Sequence, residues 1–316
     1  MSSRFILAVT AAIAIAGPLS AQKVPPVRSE QGDAQAKVEL VDMTPRFLAF
    51  YDLAQKAPDA DARFALWQQH YGFAAVPPGP RGEAMSRKLL DQGWPRYAAA
   101  LPAIRRGTSV FGNEPIETLR GVMRILKAEG PVTIRLTAYV GAFDDNAFSS
   151  GGDPPNIAFP TEMAPELRRL IMAHEFTHAV HIKVGKLSGG WERSIGATII
   201  QEGLAVHVAR ELTPGRTMAQ YIEHRPGWWD GIAARKKDVL RGMLPVLASK
   251  DGETVFRFTM GNGTTGFERE SYAAGWWVVE HLRSQGMTLD KVARVPEADM
   301  PATVERAINE MLKASA

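Results

Sequence analysis

Residues 170–184 read LIMAHEFTHAVHIKV, and this stretch decides how the rest of the chain is interpreted. It contains His174, His178 and His181, three of the seven histidines in the 316-residue chain. Its apolar periodicity, bounded by a proline and a glycine, predicts a single helix over Pro165–Gly185. Because His174 and His178 are four residues apart, they project from the same face of that helix, one turn from each other.

A pair of imidazoles with this spacing indicates a metal site. Neutral His174 and His178 can both bind one zinc ion at about 2.0–2.1 Å. Glu175 follows the first histidine and lies beside the helix face that carries the two histidines. There it can accept a proton from a zinc-activated water. This is the H-E-x-x-H pattern of metalloproteases. The alternative is a pair of packing histidines on a buried helix, because so short a pattern also arises by chance.

A catalytic zinc ion needs three protein ligands and an open position. His181 lies about 10 Å along the helix axis from His174, and no glycine bends the chain before it, so it is predicted to neighbour the site or to pack. Glu202, in IIQEGLAVHVA, is the better third ligand, because an unpaired carboxylate in an apolar helix is costly. Gly203 beside it lets another helix approach closely, and His207 is predicted to pack. The alternative for Glu202 is a salt bridge to an arginine at the helix surface.

The segments HEFTH (174–178) and EGLA (202–205) together resemble the gluzincin superfamily of zinc metallopeptidases. More narrowly, they resemble a bacterial family of predicted zinc-dependent proteases of unknown function. That family has the same order of strand, Gly-rich loop, edge strand, metal helix and glutamate helix. The resemblance extends over about residues 132–286.

The resemblance implies that His174, His178 and Glu202 bind one zinc ion per chain, with Glu175 as general base and acid. Two features depart from the family pattern. The gap between His178 and Glu202 is 23 residues, longer than in the best-known gluzincins. Those proteins also carry an acidic residue four positions after the ligand glutamate, where this chain has Val206.

Tyr272, in RESYAAGWW, is predicted to donate a hydrogen bond to the oxyanion of the transition state. The resemblance includes a Tyr-x-x-Gly at about this place, and the small residues Ala273–Gly275 let the helix approach the cleft. A phenol is neutral at pH 7 and donates one directed hydrogen bond. The alternative is a tyrosine that packs on Trp276 or Trp277, and His224 is the second candidate for the donor.

The predicted fold class is α+β and zincin-like, with a small sheet whose edge strand packs on the metal helix, and with helix-rich N- and C-terminal parts. Alternation over Val132–Gly141 predicts a half-buried strand, and NIAFP (Asn156–Pro160), flanked by prolines, predicts an edge strand. Further helices are predicted over Trp191–Leu212, Arg269–Gly286 and about Pro301–Lys313. Three domains are predicted: a signal peptide over residues 1–21, an N-terminal helical region over 22–130, and a zincin-like catalytic domain with C-terminal helices over 131–316. The N-terminal helical region is predicted to begin with a loose leader over 22–42.

The N-terminal stretch MSSRFILAVTAAIAIAGPLSAQ has the layout of a secretory signal peptide. Arg4 precedes a 12-residue apolar run, Phe5–Ala16, which is too short to span a bilayer as a helix. Cleavage after Ala21 predicts an exported, periplasmic or extracellular protein with no stable membrane span after signal cleavage. The alternative is a retained membrane anchor. The chain has no cysteine, which excludes disulfides and an N-terminal lipidated cysteine.

Composition narrows the class of partner. The net charge is only +3, and no stripe of Lys and Arg is interleaved with aromatic residues, so nucleic acid is excluded as the expected partner. The sequence predicts a hydrolase, a zinc metallopeptidase acting on a peptide or protein that adds as a strand to the NIAFP edge. The absence of the aminopeptidase branch's amine-binding motif favours an endopeptidase. The alternatives are a zinc hydrolase of a non-peptide bond and a degenerate zincin acting as a binding or chaperone module.

Overall fold

The computed structural model describes residues 23–76, 79–150, 152–189 and 193–314. Within these residues it contains five strands and thirteen α-helices, so the α+β class is confirmed. The predicted signal peptide, residues 1–21, lies outside the described residues. The strands are β1 (Val27–Gly32), β2 (Ala36–Asp42), β3 (Val132–Tyr139), β4 (Phe148–Ser150) and β5 (Asn156–Pro160).

The helices include each of those predicted around the histidine motif and after it. They are α1 (Thr44–Ala54), α2 (Ala60–His70), α3 (Pro80–Ile104), α4 (Glu114–Ile125), α5 (Pro165–Gly185), α6 (Ile195–Leu212), α7 (Met218–Ile222), α8 (Trp228–Ala234), α9 (Lys236–Met243), α10 (Gly252–Thr259), α11 (Glu270–Ser284), α12 (Leu289–Val292) and α13 (Met300–Ala314). None of the helices in the described parts of the chain has both the length and the apolar character needed to cross a membrane.

The five strands form one mixed sheet in the order β1-β2-β3-β5-β4. The strands β2, β3 and β5 run parallel, while β1 and β4 pair antiparallel at the two edges. The predicted alternation of β3 is confirmed over its first half, where the buried Val132, Ile134 and Leu136 alternate with the partly exposed Thr133 and Arg135. Its second half is buried throughout, as expected for a strand in the middle of a parallel sheet.

The prediction that NIAFP is an edge strand is wrong. The strand β4 pairs with β5 on the side away from β3, with Phe148 opposite Ala158 and Ser150 opposite Asn156. The prolines before and at the end of β5 do not interrupt this pairing, because they lie at the limits of the ladder and not inside it. A substrate strand therefore cannot add to β5. The segment before β5, GAFDDNAFSSGGDPP (141–155), is rich in Gly and Asp, a composition typical of a loop, and it gives no sign of the short strand β4.

The interpretation of residues 22–42 as a loose leader is also wrong. The strand β1 is exposed along most of its length, so its polar composition is typical of a loop even though it pairs with β2. In β2 the buried residues Val38 and Leu40 flank Glu39, whose carboxylate accepts a hydrogen bond of 2.8 Å from Arg135 on β3. This cross-strand ion pair ties the N-terminal segment to the central strand.

The described chain forms two compact units. The first contains the residues up to Glu117 together with Pro131–Arg168, and therefore the whole sheet. Its core is dominated by aromatic side chains of α1 to α3, such as Phe47, Phe50 and Tyr97. The second contains Thr118–Gly130 and the chain from Arg169 onward. These units differ from the predicted division at residue 130, because strands from both sides of that position share one sheet.

Candidate metal centre

The two histidines of the motif meet on α5, inside the second unit. Their Nε2 atoms lie 3.1 Å apart, and each residue is 9% exposed. The helix extends over Pro165–Gly185 as predicted, so His174 and His178 lie one turn apart on the same face. Two ring nitrogens at this distance can both bind the same metal ion.

Glu202 brings the third ligand atom from α6. Its Oε2 atom lies 3.3 Å from Nε2 of His174 and 3.5 Å from Nε2 of His178. Zinc bound tetrahedrally at 2.0–2.1 Å separates its ligand atoms by about 3.3–3.4 Å. The observed triangle of 3.1–3.5 Å therefore fits three corners of a zinc tetrahedron. Among the described residues, the two imidazole nitrogens are the ionisable partners of Oε2 of Glu202.

The electrostatics of the three ligands suit a cation. Burial alone would raise the pKa of Glu202, but the neighbouring His178 and His174 hold it well below its ordinary value. Glu202 is therefore a carboxylate although it is only 1% exposed. Burial lowers the pKa of His178, whereas the charges of Glu202 and then Glu175 raise it, with a net rise. Glu175, which is 0% exposed, is thus within electrostatic range of a ligand without being one of the three ligands.

Arg193 is a residue of the site that the sequence interpretation missed. Its Nη2 atom donates to Oε1 of Glu202 at 3.1 Å, and its Nη1 atom donates to Oε1 of Gln201 at 2.8 Å. Every residue of α6 from Ile195 to Ala209 is buried, so the pairing is internal and not the surface salt bridge considered as an alternative. One oxygen of Glu202 is held by the arginine, which leaves the other for the histidine pair.

A signal for this contact was present in the sequence. Thr198, Gln201 and Glu202 are polar residues at positions i, i+3 and i+4, which share one face of an otherwise apolar helix. Such a polar face inside a core needs a polar partner. The guanidinium of Arg193, just before the Ser194 N-cap of α6, contacts all three of these side chains.

We expect Arg193→Met to lower the zinc affinity about 10–100-fold, because partners that orient a ligand commonly contribute that much. Loss of the guanidinium frees Oε1 of Glu202 and removes the contact that fixes its carboxylate. Competition for zinc against a chromophoric chelator measures the change. Arg241→Met is the control, because within the part of the chain that the structure describes Arg241 pairs with the half-exposed Asp238 on the same helix and not with a residue of the site. Equal affinities of the two variants would show that Arg193 does not position the ligand.

Close packing of α6 against α11 determines where Tyr272 lies. A Cβ atom added at Gly203 would lie 2.2 Å from the carbonyl oxygen of Gly275, so only glycine permits this approach. Gly203 is adjacent to Glu202, and Gly275 follows Tyr272 by three residues, about one turn of α11. The predicted close approach of a second helix at Gly203 is therefore confirmed. The contact brings the first turn of α11 toward the ligand glutamate.

Tyr272 is 6% exposed and keeps its proton. Burial, and then the negative charge of Glu202, raise its pKa to about 12, while Arg269 partly offsets both. Among the described aromatic contacts Tyr272 stacks on neither neighbouring tryptophan. Trp276 stacks on His207 and Trp277 packs against Trp229. The phenol of Tyr272 is thus neutral and able to donate a hydrogen bond, and it is close enough to Glu202 for the negative charge of that carboxylate to raise its pKa.

The other three histidines that the sequence interpretation considered have separate surroundings. His181 is fully buried, and burial together with the charge of His178 lowers its pKa to about 3. It is outside the group of three ligands, as predicted. His207 packs on Trp276 with ring centroids 3.9 Å apart, which confirms its predicted packing role. The Nε2 atom of His224 lies 3.0 Å from the carboxylate of Glu268, whereas its buried Nδ1 atom has no hydrogen-bond partner among the described residues.

Comparison with known proteins agrees with the motif. A family model described as "Predicted Zn-dependent protease (DUF2268)" matches residues 148–300, just under half of the chain. The matched range contains the three candidate ligand residues, Glu175 and Tyr272. The resemblance to predicted zinc-dependent proteases is therefore confirmed by the family model. No curated protein and no solved structure matches the chain.

Proposed function

We propose that this protein is a zinc-dependent metallopeptidase that hydrolyses peptide bonds with Glu175 as its general base. The observation that carries the proposal is the convergence of three ligand atoms at 3.1–3.5 Å, with a glutamate next to the first ligand. The matching family of predicted zinc-dependent proteases supports the same activity. A zincin-like fold is part of this proposal, and it is supported by the position of the Glu202 carboxylate of α6, 3.3 and 3.5 Å from the two histidines of α5.

His174, His178 and Glu202 would hold the zinc ion, and three protein ligands leave its fourth position for water or substrate. When bound, zinc supplies a Lewis acid that lowers the pKa of water to about 7 and polarises the scissile carbonyl. Arg193 keeps the carboxylate of Glu202 oriented toward the two imidazoles.

Glu175 is assigned the proton transfers. Its carboxylate accepts the proton of the attacking water and then donates it to the nitrogen of the departing amine. It is adjacent to the ligand His174 on α5 but is not itself in the ligand group. A purely structural zinc site has no use for such a base, so Glu175 favours an enzyme over a degenerate binding or chaperone module.

A hydrolase of a non-peptide bond would use the same ligands and the same base. The description of the matching family favours a peptide substrate. Digestion of a mixed peptide library by the zinc-loaded protein separates the two activities. Cleavage of peptides supports the proposal. If the peptide library stays intact while the protein hydrolyses compounds from a panel of non-peptide esters and amides, a hydrolase of a non-peptide bond is favoured.

Tyr272 is proposed to stabilise the oxyanion that forms when water attacks. We expect Tyr272→Phe to lower kcat by about 10²–10³-fold, the loss typical of one oxyanion donor. Zinc content and KM should change little, because the phenol is not a ligand and contributes chiefly in the transition state. Steady-state kinetics with zinc analysis measures both effects. A kcat within about twofold of the parent would remove Tyr272 from the mechanism.

Export is the second part of the proposal, and it depends only on the sequence of the N-terminal residues. A signal peptide cleaved after Ala21 would leave a mature chain that begins at Gln22 and works in the periplasm or outside the cell. N-terminal sequencing of the protein recovered from those fractions tests this. A chain that begins at Met1 would contradict it and would favour a retained leader.

A further inference from the structure

Arg269 lies at the N-terminal end of α11 in a conformation that is rare for its residue type. Its φ of 60° and ψ of 36° are left-handed, which few residues other than glycine adopt. The residue is only 9% exposed. The guanidinium is therefore held inside the second unit and is not a side chain in free solution.

The charge of Arg269 meets no carboxylate among the described residues. Glu268, its neighbour in the chain, is engaged by other groups, with His224 at 3.0 Å and Arg225 at 3.8 Å from its Oε2 atom. Neither of these contacts involves Arg269. The preceding acidic residue thus leaves the guanidinium without a counter-ion.

Glu270, on the other side, is also unavailable to Arg269. One of its carboxylate oxygens accepts hydrogen bonds from the backbone and hydroxyl of Thr264 at 3.0 and 3.1 Å. The other accepts a hydrogen bond of 2.7 Å from the backbone of Thr265, whose hydroxyl donates to it as well. Gly263 allows this approach, since a Cβ there would lie 2.2 Å from the carboxylate. Four donors therefore satisfy Glu270.

The guanidinium of Arg269 instead packs on the ring of Tyr272, with its Cζ atom 3.9 Å from the ring centroid. The cation–π contact engages the face of the group, and its hydrogen bond to the Tyr272 side chain uses one donor, so most of its five N–H donors have no acceptor among the described residues. A nearly buried cation without an anion is costly, and the first turn of a helix adds positive potential. Both effects favour a bound anion beside Tyr272.

We propose that Arg269 binds a carboxylate of the peptide substrate close to the scissile bond. This inference rests on the proposed function, because it places the substrate beside Tyr272. The carboxylate can come from the C-terminus of the peptide or from an Asp or Glu side chain. A C-terminal carboxylate would make the protein an exopeptidase that acts near the C-terminus and not the endopeptidase that the sequence predicts.

Binding to the zinc-loaded Glu175→Gln protein tests the inference without hydrolysis. The probes are four dansylated pentapeptides: Ala-Ala-Phe-Ala-Ala with a free C-terminus, its C-terminal amide, and amides in which Glu or Gln replaces the fourth residue. Fluorescence anisotropy gives each affinity. We expect the free acid or the Glu peptide to bind about 10–100-fold more tightly than its neutral match. Which of the two does so identifies the source of the carboxylate.

Substitution at Arg269 connects this preference to the residue. In the same background, Arg269→Met should reduce the preference to about twofold or less, because the charge-assisted hydrogen bonds are lost. Arg269→Lys should retain part of it. Arg225→Met is the control, because it removes a nearby positive charge that is already paired with Glu268. Circular dichroism and zinc content verify that each variant is folded.

Two results would overturn the inference: equal affinity of the parent for charged and neutral peptides, or an undiminished preference in folded Arg269→Met. Failure of the proposed function is distinguishable from both. If the Glu175→Gln protein shows the preference but the zinc-loaded wild type cleaves no peptide, Arg269 remains a carboxylate site and only the peptidase activity is refuted.

Discussion

Glu175→Gln is expected to lower kcat by about 10²–10⁴-fold, the range for loss of a positioned general base. The amide keeps the size of the side chain but cannot accept the proton of the attacking water. Because Glu175 is not one of the three ligands, the variant should retain its zinc and its fold. Steady-state kinetics on a cleaved peptide, with zinc measured by mass spectrometry after dialysis, gives both quantities.

The matched control is Glu253→Gln, which makes the same chemical change on the exposed surface of α10. It should turn over at the parent rate. Full turnover by Glu175→Gln would refute the assigned base. A variant that loses its zinc together with its activity would instead show that Glu175 supports the metal and not the proton transfer.

Replacing any one of His174, His178 and Glu202 with alanine is expected to lower zinc affinity by at least about 10²-fold, since groups that only orient the ligands already contribute 10–100-fold. Each substitution removes one corner of the 3.1–3.5 Å triangle. Glu202→Ala also leaves the guanidinium of Arg193 without its carboxylate. Chelator competition on each variant measures the affinity.

His181→Ala is the matched control for the ligand series. It removes a fully buried histidine from the same helix, one turn beyond His178, and it should reduce stability without reducing zinc affinity. A Glu202→Ala protein that holds zinc as tightly as the parent would show that the third ligand lies elsewhere. A His181→Ala protein that loses zinc would place that histidine in the metal shell.

The grouping of the three candidate ligands could be predicted from the sequence because much of the evidence for it is local. Two histidines four residues apart on a helix have a fixed spacing, and a lone carboxylate in an apolar helix requires a partner. Gly203 likewise indicated a close helix contact, which the structure contains opposite Gly275. These inferences depend on helix periodicity and on the cost of burial, both of which can be evaluated within a few turns of chain.

The missed features depend on partners that are distant in sequence or on irregular backbone. The strand β1 is exposed and polar, so only its pairing with β2 reveals it as a strand. The edge position assigned to β5 was wrong because the three-residue strand β4 was not apparent within a Gly-rich segment. Arg269 adopts a left-handed backbone conformation that no local pattern predicts for an arginine.

Restoration of peptide cleavage by zinc tests the central claim most directly. The mature protein is stripped of metal, titrated with zinc and incubated with a mixed peptide library whose products are identified by mass spectrometry. The Glu175→Gln protein is treated in parallel. We expect cleavage to be absent without metal, to return as about one zinc ion binds per chain, and to remain absent in Glu175→Gln. An intact library in the zinc-loaded wild type, or equal cleavage by the variant, would contradict a zinc peptidase that uses Glu175.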